Sequence, residues 1–268
     1  MAPVEPVAVE KIEAYTPPFE VALYDFSQAN LNHETRVQYV TTVASLSYGN
    51  EKARDPHKLY ELLKRLGHDS VFEFIRQPTC DDCTDAGIQH SLRHVALTHP
   101  STPMAAQDLQ RRHRGCIATF KITAPIFVAR QIMRHRGFSY LELSRRYVRN
   151  TKVPFQFYVP PGLEPPLDQK LSAYLATAVT LYDALIAAGH KPEVARSVLP
   201  IGLMTTFWMQ GHAPALQNFF LLRLAPAAQA ETRAIAAAMA RLLVVYQPEL
   251  AAKVLRDIPE TIKGYKEG

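Results

Sequence analysis

Residues 116–134, CIATFKITAPIFVARQIMR, change period in mid-run. Up to Thr123 apolar and polar residues alternate, the spacing of a strand with one covered face; beyond Pro125 the apolar residues fall at helical intervals. Pro125 suits the first helical position, so the run reads as a strand followed at once by a helix. A chain that carries both periods back to back belongs with the mixed α/β and α+β folds.

The same order leads into RHRGFSYLELSRRYV, residues 134–148. Four arginines and one histidine there surround a single carboxylate, Glu142. On the preceding helix Gln131 and Arg134 share a face, with Arg130 four residues before Arg134, so one helix end presents a polar fork. If residues 141–147 run extended, Glu142, Ser144 and Arg146 point one way, and Leu141, Leu143 and Arg145 the other. Guanidinium groups bind phosphate through planar paired donors, and a lone carboxylate among them accepts from a sugar hydroxyl or steadies an arginine. That combination points to a nucleotide; the plainer reading is a solvated arginine-rich surface.

Elsewhere the pattern is helical. Helices are expected from about His33 to Leu46, from Asp55 to Leu66 with Gly67 ending it, from Leu167 to Gly189, and near 192–198, 203–222 and 226–245, with Pro200, Pro214 and Pro226 dividing the last three. Phe19, Val21, Leu23 and Tyr24 could supply a further strand. Residues 153–166 read as a proline-rich loop. The 268 residues, 47% hydrophobic and 21% charged, fit one domain spanning 1–268, with a surface insertion at about 76–116 where CDDC, scattered histidines and RRHRG break the periodicity.

Composition narrows the setting. No apolar run approaches the roughly 20 residues of a membrane helix, and the opening residues lack the apolar centre of a signal peptide, so a cytoplasmic protein is expected. Cys80, Cys83 and Cys116 are too few for a disulfide framework. Cys80-x-x-Cys83 with His90, His94 and His99 lacks a second CxxC and regular spacing, so no metal site is expected. The net charge of +5 permits a nucleic-acid partner, but the arginines gather in short segments and no aromatic residues alternate with them. RRHRG at 111–115 imitates the main motif without its downstream serine, glutamate and tyrosine, and reads as a solvated loop.

RHR, seven residues, then S, continued as SRRY, resembles the signature of the flavin-dependent thymidylate synthases, carried here by Arg134, His135, Arg136 and Ser144 with Glu142, Arg146 and Tyr147. Further matches follow in order: ASLSYG at 44–49, GHDSVFE at 67–73, APIFVARQ at 124–131, ARSVLP at 195–200, NFFLLR at 218–223 and AQAE at 228–231. The resemblance implies the family's own α/β (α+β) fold, a mixed sheet with long helices, in a homotetramer that shares its active sites. It implies methylation of uracil C5 in dUMP, or in UMP for a specialised relative, with methylenetetrahydrofolate as carbon donor, NADPH as reductant and FAD as cofactor, without a cysteine nucleophile.

By the same resemblance Ser70, Arg134, His135, Arg136, Glu142, His212 and Asn218 would contact flavin, with His68 close by. Gln131, Arg134, Glu142, Ser144, Arg145, Arg146, Arg196 and Arg223 would hold the nucleotide. Arg223 would stabilise the ionised uracil as the catalytic cation, and Ser144 is the second catalytic candidate. Arg196 and Arg223 interrupt apolar helices, where a charge needs a ligand or an acidic partner; Glu193 and Glu231 are the plain structural partners. Leu141, Phe74, His212 and Pro214 depart from the family pattern, the last two at positions that normally touch FAD. The alternative is a basic flavin-free protein of the same fold that binds RNA or a nucleotide.

Overall fold

The computed structural model describes residues 4–26, 32–49, 55–75 and 117–259. Among them five strands, β1 Ala8–Ile12, β2 Phe19–Tyr24, β3 Ile117–Pro125, β4 Phe138–Glu142 and β5 Met204–His212, form one sheet in the order β1-β2-β3-β5-β4. Every neighbouring pair is antiparallel, which corrects the expected mixed sheet. β3 and β4 do run parallel, joined by a helical crossover, but β5 arrives from much later in the chain and slots between them, antiparallel to both.

β5 also corrects the expected helix at 203–222. Phe207 and Met209 enter the core on one face of the sheet and Trp208 the core on the other. A strand covered on both faces shows no alternation of apolar and polar residues, and its periodicity cannot separate it from a buried helix. The β-branched and aromatic run TTFW was the usable signal. Helix begins only after it.

The helices fall on the two faces. On one, α1 His33–Ser47, α2 Pro56–Arg65 and α3 Asp69–Phe72 bury Val37, Val40, Val43, Tyr60, Leu63 and Phe74 against Trp208, Tyr24 and Ala22. α1 is started by a capping box, in which Thr35 N donates to Asn32 Oδ1 at 2.9 Å and Asn32 N donates back to Thr35 Oγ1. Asp55 caps α2, leaving Pro56 at the first helical position. On the other face, α4 Ile126–Ile132, α7 Ala213–Arg223, α8 Ala230–Tyr246 and α9 Pro248–Val254 cover Phe19, Val21, Leu23, Phe120, Ile122 and Phe207.

Pro125 is the last strand residue and caps α4, one position before the expected N1. α5 Leu167–Ala187 ends at Gly189, whose φ of 89° is open to glycine without strain. The expected helix at 192–198 divides into α6 Pro192–Ala195 and a 3-10 turn, Arg196–Val198. α9 was not foreseen. The expected insertion at 76–116, with CDDC and RRHRG, lies outside the described residues. Among the described residues no helix is long and apolar enough to cross a membrane, and no three metal-ligating side chains gather.

Candidate functional site

α4 is tied to the 201–203 segment as it leaves β3, Ile126 N donating to Leu203 O at 2.9 Å and Phe127 N to Ile201 O at 3.1 Å. It buries Val128, Ala129 and Ile132, which leaves Arg130 exposed and Gln131 half-buried. After the C-cap at Met133 the chain turns through Arg134 and His135. The last carbonyls of a helix need donors, and here two distant side chains supply them. Arg223, from the last turn of α7, donates from Nη2 to Gln131 O at 3.1 Å. Tyr140 of β4 donates to Ile132 O at 2.9 Å and to His135 O at 3.0 Å. A cation at a helix C-terminus is also favoured by the helix dipole.

His135 is buried between the rings of Phe219 and Phe138, with centroids 5.0 Å and 6.4 Å away. Its Nε2 accepts from Arg223 Nε at 2.8 Å, which places the ring proton on Nδ1. Burial, reinforced by the Arg223 charge, pushes the imidazole from 6.5 down to about 4, so it is neutral near pH 7. Burial also lowers Arg223, with Arg134 nearby adding repulsion. Arg223 is thus fixed by two uncharged acceptors, and no carboxylate among the described residues pairs with it. Gln131 is held in turn by the AQAE segment and the residue after it: its Nε2 donates to Gln229, and its Oε1 accepts from Thr232 Oγ1 at 3.1 Å. Gln229, Thr232 and Tyr140 were not singled out from the sequence, although AQAE had been marked as a motif.

A second group forms at the end of β4. Glu142 accepts from Thr205 Oγ1 of β5 at 2.8 Å. Burial raises its pKa, and the Thr205 bond, Arg130 and Arg196 pull the other way. Both arginines are exposed, so their charges stand open to an anion on this side of a half-buried carboxylate.

The third group is the turn after β4. The strand stops at Glu142 and residues 145–147 turn, correcting the expected extension to 147. Tyr147 N and Val148 N both donate to Ser144 O, at 3.1 and 3.0 Å, and Ser144 N reaches Ser47 O at the end of α1 at 3.3 Å. The division into two faces survives: Leu143 and Arg145 are buried, while Arg146 is exposed. Arg146 meets Glu193 of α6 through Nε and Nη2 at 3.2 and 3.1 Å, and lies 5.4 Å over the Tyr147 ring. Arg145 instead donates to Val153 O at 2.7 Å, beneath Phe155. The motif at 44–49 gains a physical meaning here. Gly49, at φ 61°, lies so close that a Cβ would stand 2.9 Å from both Val148 and Val153.

The structure therefore gathers Gln131, Arg134, His135 and Arg223 in one group, Glu142 and Arg196 with Arg130 in a second, and Ser144, Arg145 and Arg146 in a third. Ser70 and His68 stand exposed at α3, Arg136 on the turn and Asn218 on α7, while His212 caps α7 and Pro214 lies in its first turn. The plain pairings for the two lone arginines are corrected. Glu193 takes Arg146, and Glu231 accepts from Tyr158 Oη at 2.6 Å. Two departures from the family pattern are core substitutions: Leu141 packs against the Trp208 cluster, and Phe74 is fully buried in it.

Residues 110–249 match the model of the family described as thymidylate synthase complementing protein. The flavin-dependent thymidylate synthase of Thermotoga neapolitana is 40% identical over 134 residues, 47% of this chain and 61% of that protein. Its counterpart from Pseudothermotoga lettingae is 32% identical over 213 residues, 74% of this chain and 76% of that one. The aligned stretch covers 44% of the Aquifex aeolicus relative, so the chain spans only about half to three fifths of several curated relatives. A solved structure, a UMP/dUMP methylase PolB from Streptomyces cacaoi bound with 5-Br UMP, is similar at a TM-score of 0.49 and 23% identity, over 88% of this chain and 93% of that one.

Proposed function

Since the chain belongs to the thymidylate synthase complementing protein family, we propose that it is a flavin-dependent methyltransferase acting on C5 of uracil in a uridine nucleotide, dUMP or UMP. Methylenetetrahydrofolate would give the carbon and NADPH the reducing equivalents, in a cytoplasmic homotetramer whose active sites are shared.

The observation that carries this reading is the Arg223 guanidinium, anchored by the neutral acceptors His135 Nε2 and Gln131 O with no carboxylate partner among the described residues. C5 of uracil is a weak nucleophile until negative charge develops in the ring. A fixed, partly desolvated cation stabilises that charge more than it stabilises the neutral ring, which is the condition for catalysis. Neutral His135 is essential to the arrangement, because a protonated ring could not accept from Arg223 and would repel it. Arg134 adds positive potential beside it. Ser144 and Arg146 are assigned to the nucleotide phosphate, with Arg196 and Gln131 completing its contacts and Glu142 accepting from the sugar or from flavin.

The donor set also suits FAD, whose diphosphate and ring carbonyls require N–H donors. Arg134 and Arg136 present exposed guanidiniums, and Ser70, Asn218 and His212 offer further polar contacts. When bound, FAD supplies the hydride chemistry that no side chain can. Pro214 contributes no donor, so the flavin contact made by an arginine in the family pattern falls here to neighbouring cations.

The test is direct. Purified protein should bind FAD and turn yellow, then methylate dUMP or UMP when given methylenetetrahydrofolate and NADPH. Rates on the two nucleotides settle the sugar preference. Failure to bind micromolar FAD, together with salt-sensitive RNA binding, would replace this reading with a flavin-free binding protein.

A further inference from the structure

The resemblance sets Arg145 among the nucleotide contacts with its neighbours Ser144 and Arg146, yet the residue is only 8% exposed and its guanidinium is turned to the protein interior. Its Nη1 donates to Val153 O at 2.7 Å, its Cζ stands 4.8 Å above the Phe155 ring, and Phe155 meets Tyr182 of α5 edge-on at 4.9 Å. Its Nε is buried with no acceptor among the described residues. A guanidinium buried with an unmet donor is a costly way to fill a core, and an apolar side chain of the same volume would serve stability as well or better. What an apolar residue lacks is a directional bond across eight residues.

That bond closes one end of a loop. At the other end Phe155 N donates to Asn150 Oδ1 at 2.7 Å, and Lys152 reaches back to Tyr48 O, so the loop is keyed to α1 as well. The turn carrying Ser144 and Arg146 hangs directly from this frame, and its inner hydrogen bonds run from Tyr147 and Val148 to Ser144 O. Long side chains lose affinity to disorder, and a frame that fixes their backbone removes part of that cost before the ligand arrives.

Resting on the reading of the site given above, we propose that Arg145 is a positioning residue: without touching the nucleotide, it fixes the 144–148 turn so that Ser144 and Arg146 meet the phosphate already in place. Arg145→Met removes the donors at similar length, and Arg145→Lys retains a cation able to reach Val153 O.

The full chain and both variants are compared by amide hydrogen exchange at Ser144, Tyr147 and Val148, and by affinity for dUMP, UMP, deoxyuridine, uridine and FAD. In the Met variant exchange at those amides rises, and nucleotide binding weakens about five- to tenfold, the worth of one lost hydrogen bond. Nucleoside and FAD binding stay at the wild-type level, and Lys recovers most of the loss. Unchanged exchange and unchanged nucleotide affinity in a folded Met variant would overturn the proposal. So would a Lys variant that loses as much nucleotide affinity as Met while its amides exchange at the wild-type rate, because that pattern belongs to direct contact. Should the Met variant fail to fold, the Lys variant decides: near-wild-type exchange and affinity support the proposal. A wild-type chain that binds no uridine nucleotide would remove the functional reading, whereas the exchange rates alone still decide whether Arg145 holds the turn.

Discussion

Arg223 is useful because its partners are neutral, and that makes the site sensitive to acid. His135 titrates at about 4 in the folded chain against 6.5 ordinarily, because burial disfavours the charged ring. Between those values the unfolded chain binds more protons, so stability is lost as pH falls from 6.5 towards 4. Urea midpoints measured across that range should decline more steeply for wild type than for His135→Gln, and equal slopes would refute the assignment. Arg223→Ala should lower kcat roughly 100- to 1,000-fold, as loss of a preorganised charge-stabilising donor does, with FAD still bound. Rates within a few-fold of wild type would take the catalytic role from Arg223. On the proposed assignment, Glu193 would compete with the phosphate for Arg146. The pair is exposed and weak, so Glu193→Gln should tighten nucleotide binding about two- to fivefold in titration, and weaker binding would argue that the carboxylate orients Arg146 instead. The sequence pointed to Arg223, but not to His135 as its acceptor, since 88 residues separate them and only the pairing of sheet and helices brings them together.

At the scale of elements, two glycines decide how closely the site's supports approach. A Cβ on Gly211 of β5 would fall 2.2 Å from the Phe138 ring, and Phe138 packs on His135 and Phe219. Gly211→Ala should therefore destabilise by about 1–3 kcal/mol, the usual cost of overpacking. Denaturation would measure this, and a neutral result would mean that β4 yields more freely than its packing implies. Gly49→Ala adds a left-handed backbone penalty of about 1–2 kcal/mol to its contact with Val148 and Val153. The chain's local signals predicted these elements unequally. α1 and α2 start at side-chain caps, α2 and α5 stop at glycines, and all three show helical spacing, so their bounds were legible to within a residue or two. β3 alternated and was also legible. β5 was not, because Met209 and Trp208 are both wanted inside, on opposite faces. The turn at 145–147 was missed because it is closed by Tyr147 N and Val148 N on Ser144 O, with Arg145 tied to Val153 eight residues on, contacts that no local spacing announces.

The described residues form two cores, one on each face of a single sheet, and a long helix that joins neither fully. α5 buries only Ala178 and Tyr182, while Leu167, Tyr174 and Leu181, each seven residues from the next, stand about half exposed. A row repeated every seven residues is the pattern that pairs helices side by side. Tyr174→Glu with Leu181→Glu should reduce the expected tetramer to smaller species in light scattering, and should cost activity if sites are shared between copies. A double variant that keeps the wild-type mass would exclude this face from assembly. The sheet itself carries a further consequence. β2 pairs through residues 20–24 with 119–123 of β3, and β3 then pairs with 204–212. During synthesis the first hairpin therefore waits on the order of ten seconds for its neighbour to leave the ribosome. Until then Phe19, Val21 and Leu23 lack their β3 neighbours, so a factor that shields a nascent hairpin should raise the yield of folded protein.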